Sequence, residues 1–367
     1  MTEVCYRLYG TKFSLYTGKA RSYLLKKGIP FEETLATLSV YKKFIIPRTG
    51  VRYVPVLQTP DDEVFQDTTT IIDELESRFQ SSSVYPETPK QKLAALLLEV
   101  YADEWLVIPA MHYRWNYPAT NNHFIFGEFG SLVMPNAPGF VKRYLGKKVG
   151  SRFQGFVPNL GIREHNISAL ETSYSALLDD LQAHFEQYDY LLGSKPCIAD
   201  FGLIGPMYAH LYRDPAPGKL MKTKAPALVA WVHRMMDSEV ALESGQWLDD
   251  DEVPDTILAI LRRMSKEQLP VLLDTDQRLN EWRQANPNKT QIDRFIGSHS
   301  FVVEGVEAER VVLPYALWMF QRPMDYYASL DDTRAVDELL EQTNFGNSLE
   351  HGLSNRLARP NNKLEFV

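Results

Sequence analysis

The chain has 367 residues, of which 44% are hydrophobic and 23% charged, enough apolar material for two or three cores. A formal net charge of −8 with scattered Lys and Arg leaves no basic excess to neutralise a phosphate backbone, so no nucleic-acid partner is expected. The cysteines, Cys5 and Cys197, have no partner spacing, which argues against a disulfide framework, a zinc site or a redox pair.

The start, MTEVCYRLYGTKF, has no charged n-region followed by an apolar run, and no stretch reaches the length of a bilayer span. A cytoplasmic protein without a membrane partner is expected, and no metal site. VCYRLYG reads as a strand, SLYTGKARSYLLKKG as a helix and PFEETLAT as a second strand, followed by a poorly patterned stretch from Ser39 to Gly50. VPVLQTP and EVFQDT around the polar TPDDE fit an antiparallel hairpin. In TTTIIDELESRF, Ile71, Ile72, Leu75 and Phe79 share a helical face. This β-α-β-α-β-β-α order fills residues 1–80 as one small domain.

SSSVYPETP reads as a linker. The pattern from Lys90 predicts one long helix to Trp115, disturbed at Pro109, and a second over ISALETSYSALLDDLQAHFEQYDYLLG. Between them NYPATNNHFIFGEFGSLVMPNAPGF, rich in aromatics and turn formers, reads as a long excursion without helix. FGLIGPMYAHL and PALVAWVHRMM complete a helical region over residues 90–250. Residues 251–367 form an extension. It contains a helix over DTILAILRRMSKEQLPVLLDTDQRLNEWRQA, a hairpin (SHSFVVEG, ERVVLPYA), a helix from Asp332 to Gln342, and an apolar run, Tyr315 with Trp318 to Phe320, that must be buried.

The motif VPVL, Val54 to Leu57, stands where a thioredoxin-like fold places a cis-proline, leaving the preceding backbone free to pair with an extended peptide. An ordinary edge-strand Pro would look the same. Asp67 and Thr68 open the next helix, where side chains and free N–H groups make a polar cradle, or a plain N-cap.

Together these motifs resemble the N-terminal domain of glutathione transferases. The resemblance puts the cysteinyl backbone of glutathione on Val54 beside Pro55, and its γ-glutamyl end on Asp67 and Thr68. YGTKFSLYTGKARSYLLKKGIPFEE resembles the family's first strand, catalytic loop and first helix, with Lys19 and Arg21 as in its bacterial, theta-, zeta- or omega-like branches. Aligning on that pair puts Ser14 at the start of the helix and implies that it is the catalytic hydroxyl; a plain helix N-cap would look the same. A thiol of pKa near 8.5 is lowered by roughly one to two units by one such hydrogen bond and a helix's positive end. Tyr9, Thr11, Tyr16 and Thr17 carry competing hydroxyls, and no Cys lies in the loop. Lys42, Lys43, Arg48 and Arg52 are candidates for the glycine carboxylate, with Arg52 preferred.

LLGSKPCIADFGLIGPMYAHL resembles the family's helical-domain motif, in which a hydroxyl N-cap and a buried Asp start a core helix. Here Cys197 replaces the hydroxyl, so Asp200 is expected to carry more of the cap. Tyr16, Tyr101, Trp105, His112 and Arg114 are assigned to the pocket for an apolar or aromatic electrophile. The implied protein is a homodimeric, Ser-type transferase with glutathione as cosubstrate. It has an α/β thioredoxin-like domain, an all-α domain and an α+β C-terminal extension packing on the helical domain. A non-catalytic binding relative, or a glutathione-dependent isomerase or ether-cleaving enzyme, fits the same motifs.

Overall fold

In the computed structural model, residues 5–238 and 242–367 are described. The chain forms two compact units. The first comprises Met1–Ser83, Ala110–Val157 and Phe201–Ser244; the second comprises Val84–Pro109, Pro158–Asp200 and Gly245–Val367.

In the first unit, β1 (Tyr6–Gly10), α1 (Leu15–Lys26) and β2 (Phe31–Leu35) form a parallel β-α-β unit. The unpatterned stretch that follows is helical after all, as α2 (Leu38–Val40), a π turn over Tyr41–Ile45, and α3 (Ile46–Thr49). Its pieces are too short to show a period. β3 (Val56–Gln58) and β4 (Val64–Gln66) make the expected antiparallel hairpin, and the sheet order is β2-β1-β3-β4. Helix α4 (Thr68–Arg78) buries Ile71, Ile72 and Leu75 completely and packs with α1. This is the thioredoxin-like arrangement the sequence led us to expect.

The long helix divides into α5 (Pro89–Glu104) and α6 (Val107–Trp115). The break falls at Trp105 and Leu106 rather than at Pro109, because a proline ring displaces the carbonyl four residues back. The Trp105 carbonyl then takes a tighter bond from Ile108, 3.0 Å.

The segment expected to be a loop excursion, residues 116–140, is instead α7 (Pro118–Val133) and the turn into α8 (Gly139–Gln154), and the two helices form a hairpin. Pro118 occupies a first-turn position that tolerates it, and the remaining turn formers fall in the short connection, residues 134–138. The crossing is very close. A Cβ added at Gly130 would lie 1.9 Å from the Lys142 carbonyl oxygen, and one at Gly146 would lie 1.8 Å from that of Phe126. Only glycine admits this approach.

The helical region continues with α9 (Ile167–Phe185), α10 (Ile198–Pro206) with a π turn over Met207–Tyr212, α11 (Pro215–Lys224) and α12 (Pro226–Met236). The first helix of the extension is two, α13 (Asp255–Glu267) and α14 (Leu269–Ala285), divided where Pro270 enters the first turn of α14. β5 (Ser298–Val303) and β6 (Val306–Val311) pair as expected. They turn through Glu304 and Gly305, both at positive φ, as a two-residue hairpin of the primed type requires.

The apolar run lies on α15 (Pro314–Ala328), with Met319 and Phe320 buried; α15 packs on α5 and α14 within the second unit. Helix α16 (Arg334–Gln342) also packs on α5, and a short pair, β7 (Leu357–Ala358) and β8 (Glu365–Phe366), closes the chain.

Candidate functional site

The Val54–Pro55 bond is cis, and Val54 lies just before β3, outside the strand ladder that starts at Val56. Asp67 is the N-cap of α4; its carboxylate accepts from the Thr69 amide at 3.0 Å, and its own φ is +88°. Thr68 is the first residue of that helix and is buried. Arg52 is exposed two residues before Val54 and makes no ion pair among the described residues. Arg48 instead chelates Asp62 through bonds of 3.0 and 3.1 Å.

Ser14 caps α1. Its Oγ accepts from the Thr17 amide at 3.3 Å, its carbonyl accepts from Gly18, and the residue is partly exposed. An acceptor engaged in this way keeps its hydroxyl proton available to donate.

Of the competing hydroxyls, those of Tyr9, Thr11 and Thr17 are more constrained. Tyr9 is buried, stacks on Phe44 with ring centroids 4.2 Å apart, and donates its hydroxyl to Gln58 at 2.8 Å. Thr17 is fully buried and its Oγ1 accepts from the Thr11 amide, while Thr11 itself is buried at the strand's end. Tyr16, on the first turn of α1, is partly exposed.

Two arginines hold the loop between β1 and α1. Arg21 makes a two-pronged pair with Glu33, both bonds 2.6 Å, and reaches the Thr11 carbonyl at 3.4 Å. Thus the Arg of the Lys19/Arg21 pair ties α1 to β2 and to the loop.

Arg114 donates to the Phe13 carbonyl at 3.0 Å and to the Ala209 carbonyl, and pairs with Asp214. His210 faces the Phe13 carbonyl at 3.2 Å and the Ala110 carbonyl at 3.3 Å. Burial, and secondarily the Arg114 charge, push the His210 pKa well down, so the ring is neutral and has one N–H for two carbonyls. The Phe13 ring packs on Phe129 at 4.7 Å, which in turn stacks on Trp115. These residues locate the carbonyl immediately before Ser14.

The sequence puts Arg114 in the substrate pocket; its buried guanidinium is engaged by Asp214 and two carbonyls, which gives it a structural task. His112 is likewise buried, with Nδ1 2.8 Å from the Asn116 amide nitrogen and its ring against Tyr113 and Tyr117. Tyr101 and Trp105 belong to the second unit. There they are buried and line a small cavity with Ser173, Tyr174 and Glu267, and Trp105 donates to Glu267 at 3.1 Å. The loop supports from Arg114, Asp214 and His210 were not foreseen. The signal was available in polar residues set among the apolar positions of their helices, which predict buried partners without naming them.

Downstream, the Asp200 carboxylate accepts from the Cys197 amide at 2.9 Å and the Leu191 amide at 3.1 Å, and the Cys197 thiol points at it from 3.4 Å. The Asp200 carboxylate thus makes the half of a capping box that satisfies the Cys197 amide, while the Asp200 amide, which a hydroxyl at position 197 would have capped, bonds to the Cys197 carbonyl at 2.9 Å. Burial drives the Cys197 pKa well up, leaving an unreactive thiol.

Two family models match this chain: "Glutathione S-transferase, N-terminal domain" over residues 8–83 and "Glutathione S-transferase, C-terminal domain" over residues 155–239. The chain thus matches the models of both glutathione transferase domains, in the order N-terminal then C-terminal. Among solved structures it is similar to the β-etherase LigF of Sphingobium sp. strain SYK-6, at 18% identity over 63% of this chain and 94% of that one, with TM-score 0.45. A glutathione transferase-like protein from Pseudomonas syringae matches at 20% identity over 64% and 67%, TM-score 0.44. Rice OsGSTU1, in complex with glutathione, matches at 18% over 64% and 90%, TM-score 0.41. None of the curated proteins compared matches the sequence.

Proposed function

We propose that this chain binds glutathione and transfers it to an electrophilic small molecule of apolar or aromatic character. The tripeptide pairs with the backbone at Val54, beside Pro55. Asp67 and Thr68 hold its γ-glutamyl end at the start of α4, and Arg52 holds its glycine carboxylate. Ser14 donates its hydroxyl proton as a hydrogen bond to the sulfur at the positive end of α1, lowering the thiol pKa. The thiol proton leaves to solvent, the sulfur forms a bond to the electrophilic carbon, and the leaving group departs with its electron pair.

The observation that carries this reading is the Ser14 hydroxyl: partly exposed, at a helix N-terminus, with its oxygen already accepting from Thr17. A cytoplasmic homodimer is part of the same reading.

Calorimetry with millimolar glutathione tests the binding, and conjugation of glutathione to chlorodinitrobenzene tests the transfer. Heat of binding together with product formation supports the proposal. Binding without turnover would leave a glutathione-binding module, and no binding would remove glutathione from the account.

A further inference from the structure

The α7–α8 hairpin carries a surface that the glutathione reading does not use. Gly146 and Gly150 are buried on the α8 face that meets α7 and Trp115. The opposite face is therefore fixed outward. Along it Phe140, Tyr144 and Lys148 follow at four-residue steps, one ridge of a helix. Phe140 is 70% exposed and Tyr144 66%. The Lys148 ammonium lies 5.5 Å from the Tyr144 ring centroid, and Lys147 and Arg152 are exposed beside them. At the hairpin's tip Met134 is also half exposed. Large apolar side chains are not left this open on an ordinary surface in such a cluster.

The charge of the segment opposes that of the chain. Residues 118–154 contain Lys142, Arg143, Lys147, Lys148 and Arg152 against the single acid Glu128, whereas the whole chain carries −8. Glu128 is itself paired with Arg213. A surface that is basic and aromatic at once selects a partner that is anionic outside and apolar beneath.

Against the sequence expectation of no membrane partner, we propose that this face docks on an anionic lipid bilayer. Helix α8 lies in the headgroup plane, with Phe140, Tyr144 and Met134 entering the acyl boundary and the lysines and arginines meeting lipid phosphates. Among the described residues no helix is long and apolar enough to cross a membrane, so the contact is peripheral. A second copy of the chain fits less well. A two-fold contact through this face would set the basic cluster of Lys147, Lys148 and Arg152 on one copy against the same cluster on the other. An acidic protein would answer the charges but not the exposed Phe140, Tyr144 and Met134.

The test is co-sedimentation of the full chain with vesicles of phosphatidylcholine alone and with about one-third phosphatidylglycerol, at low and at raised salt. Binding to the anionic vesicles only, weakened by salt, is expected. The double variant K147E/K148E should bind about tenfold more weakly or worse, and F140S/Y144S should also lose binding. All four side chains are exposed, so unchanged thermal unfolding and unchanged glutathione uptake are expected in both variants. Failure of the unmodified chain to bind anionic vesicles at low salt overturns the proposal. So does binding that neither variant reduces. If light scattering shows an oligomer that these substitutions dissolve, the face joins copies of the chain and the lipid assignment fails.

Discussion

Arg114 and Asp214 meet through two parallel hydrogen bonds of 2.6 and 2.9 Å, with neither side chain more than 3% exposed. A hundred residues apart in sequence, they join α6 to the start of α11, and the same guanidinium reaches the carbonyl of Phe13, next to Ser14. Burial raises the Asp214 pKa, with Arg114 opposing the rise.

Removing one partner leaves the other charge buried and uncompensated. Asp214→Asn should cost about 3–5 kcal/mol of stability, read as a lower urea midpoint. Replacing both together, Arg114→Met with Asp214→Leu, should cost less than either single change, since no lone charge remains. A single variant within about 0.5 kcal/mol of the parent would mean the pair is solvated or dispensable.

His184, in the second unit, is buried with Nδ1 2.7 Å from the Thr256 hydroxyl and Nε2 3.1 Å from the Tyr190 carbonyl. A carbonyl only accepts, so the neutral ring carries its proton on Nε2 and Nδ1 accepts from Thr256. Burial lowers its pKa to about 4 from the ordinary 6.5. The unfolded chain therefore binds this proton more readily than the native one. The stabilising contribution is complete above pH 6.5 and is lost as pH falls toward 4, about 3 kcal/mol at most.

Denaturant midpoints measured at pH 7 and pH 5 should differ less in His184→Gln than in the parent. His210 acts in the same direction in the first unit, so part of the slope should persist. An identical slope in the variant would show that His184 titrates normally.

The close crossing of α7 and α8 makes a third prediction. Gly146→Ala would place a methyl on the Phe126 carbonyl oxygen, a backbone atom that cannot swing aside. Overpacking against backbone should cost about 1–3 kcal/mol or more, despite the better helix propensity of Ala. Gly127, with no atom within 4 Å of an added Cβ, is the control: Gly127→Ala should be neutral or stabilising by up to about 1 kcal/mol. Equal melting temperatures for the two variants would contradict the crossing.

The glycines of α7 also explain why residues 116–140 look like a loop in the sequence. Gly127 and Gly130 lower helix propensity, and with Pro118, Pro135 and Pro138 nearby they imitate an irregular segment. Their purpose becomes visible only when the second helix is laid against the first. By contrast, the strands around Val54 and the helix capped by Asp67 were legible, because turn residues, alternation and caps act over a few neighbouring positions. Ser14 as a helix cap was legible for the same reason. The Arg114, Asp214 and His210 supports were not, since their partners are distant in sequence and backbone carbonyls leave no trace in composition.

Ser14 and Asp67 should separate chemistry from binding in the proposed site. Ser14→Ala removes the hydroxyl beside the sulfur and one helix cap, so turnover should fall about 10²-fold or more while the dissociation constant for glutathione changes little. The bound thiol should titrate at higher pH, visible in the thiolate's ultraviolet absorption. The lost cap costs about 1 kcal/mol of stability, and Ser14→Thr should restore both cap and activity in part. Asp67→Asn keeps an oxygen for the Thr69 amide, so α4 should remain capped, but it removes the charge facing the γ-glutamyl ammonium. Glutathione affinity should fall about tenfold with the melting temperature nearly unchanged. If Ser14→Ala weakened binding and turnover equally, or left both intact, Ser14 would be a helix cap alone and the thiol would be activated by another group.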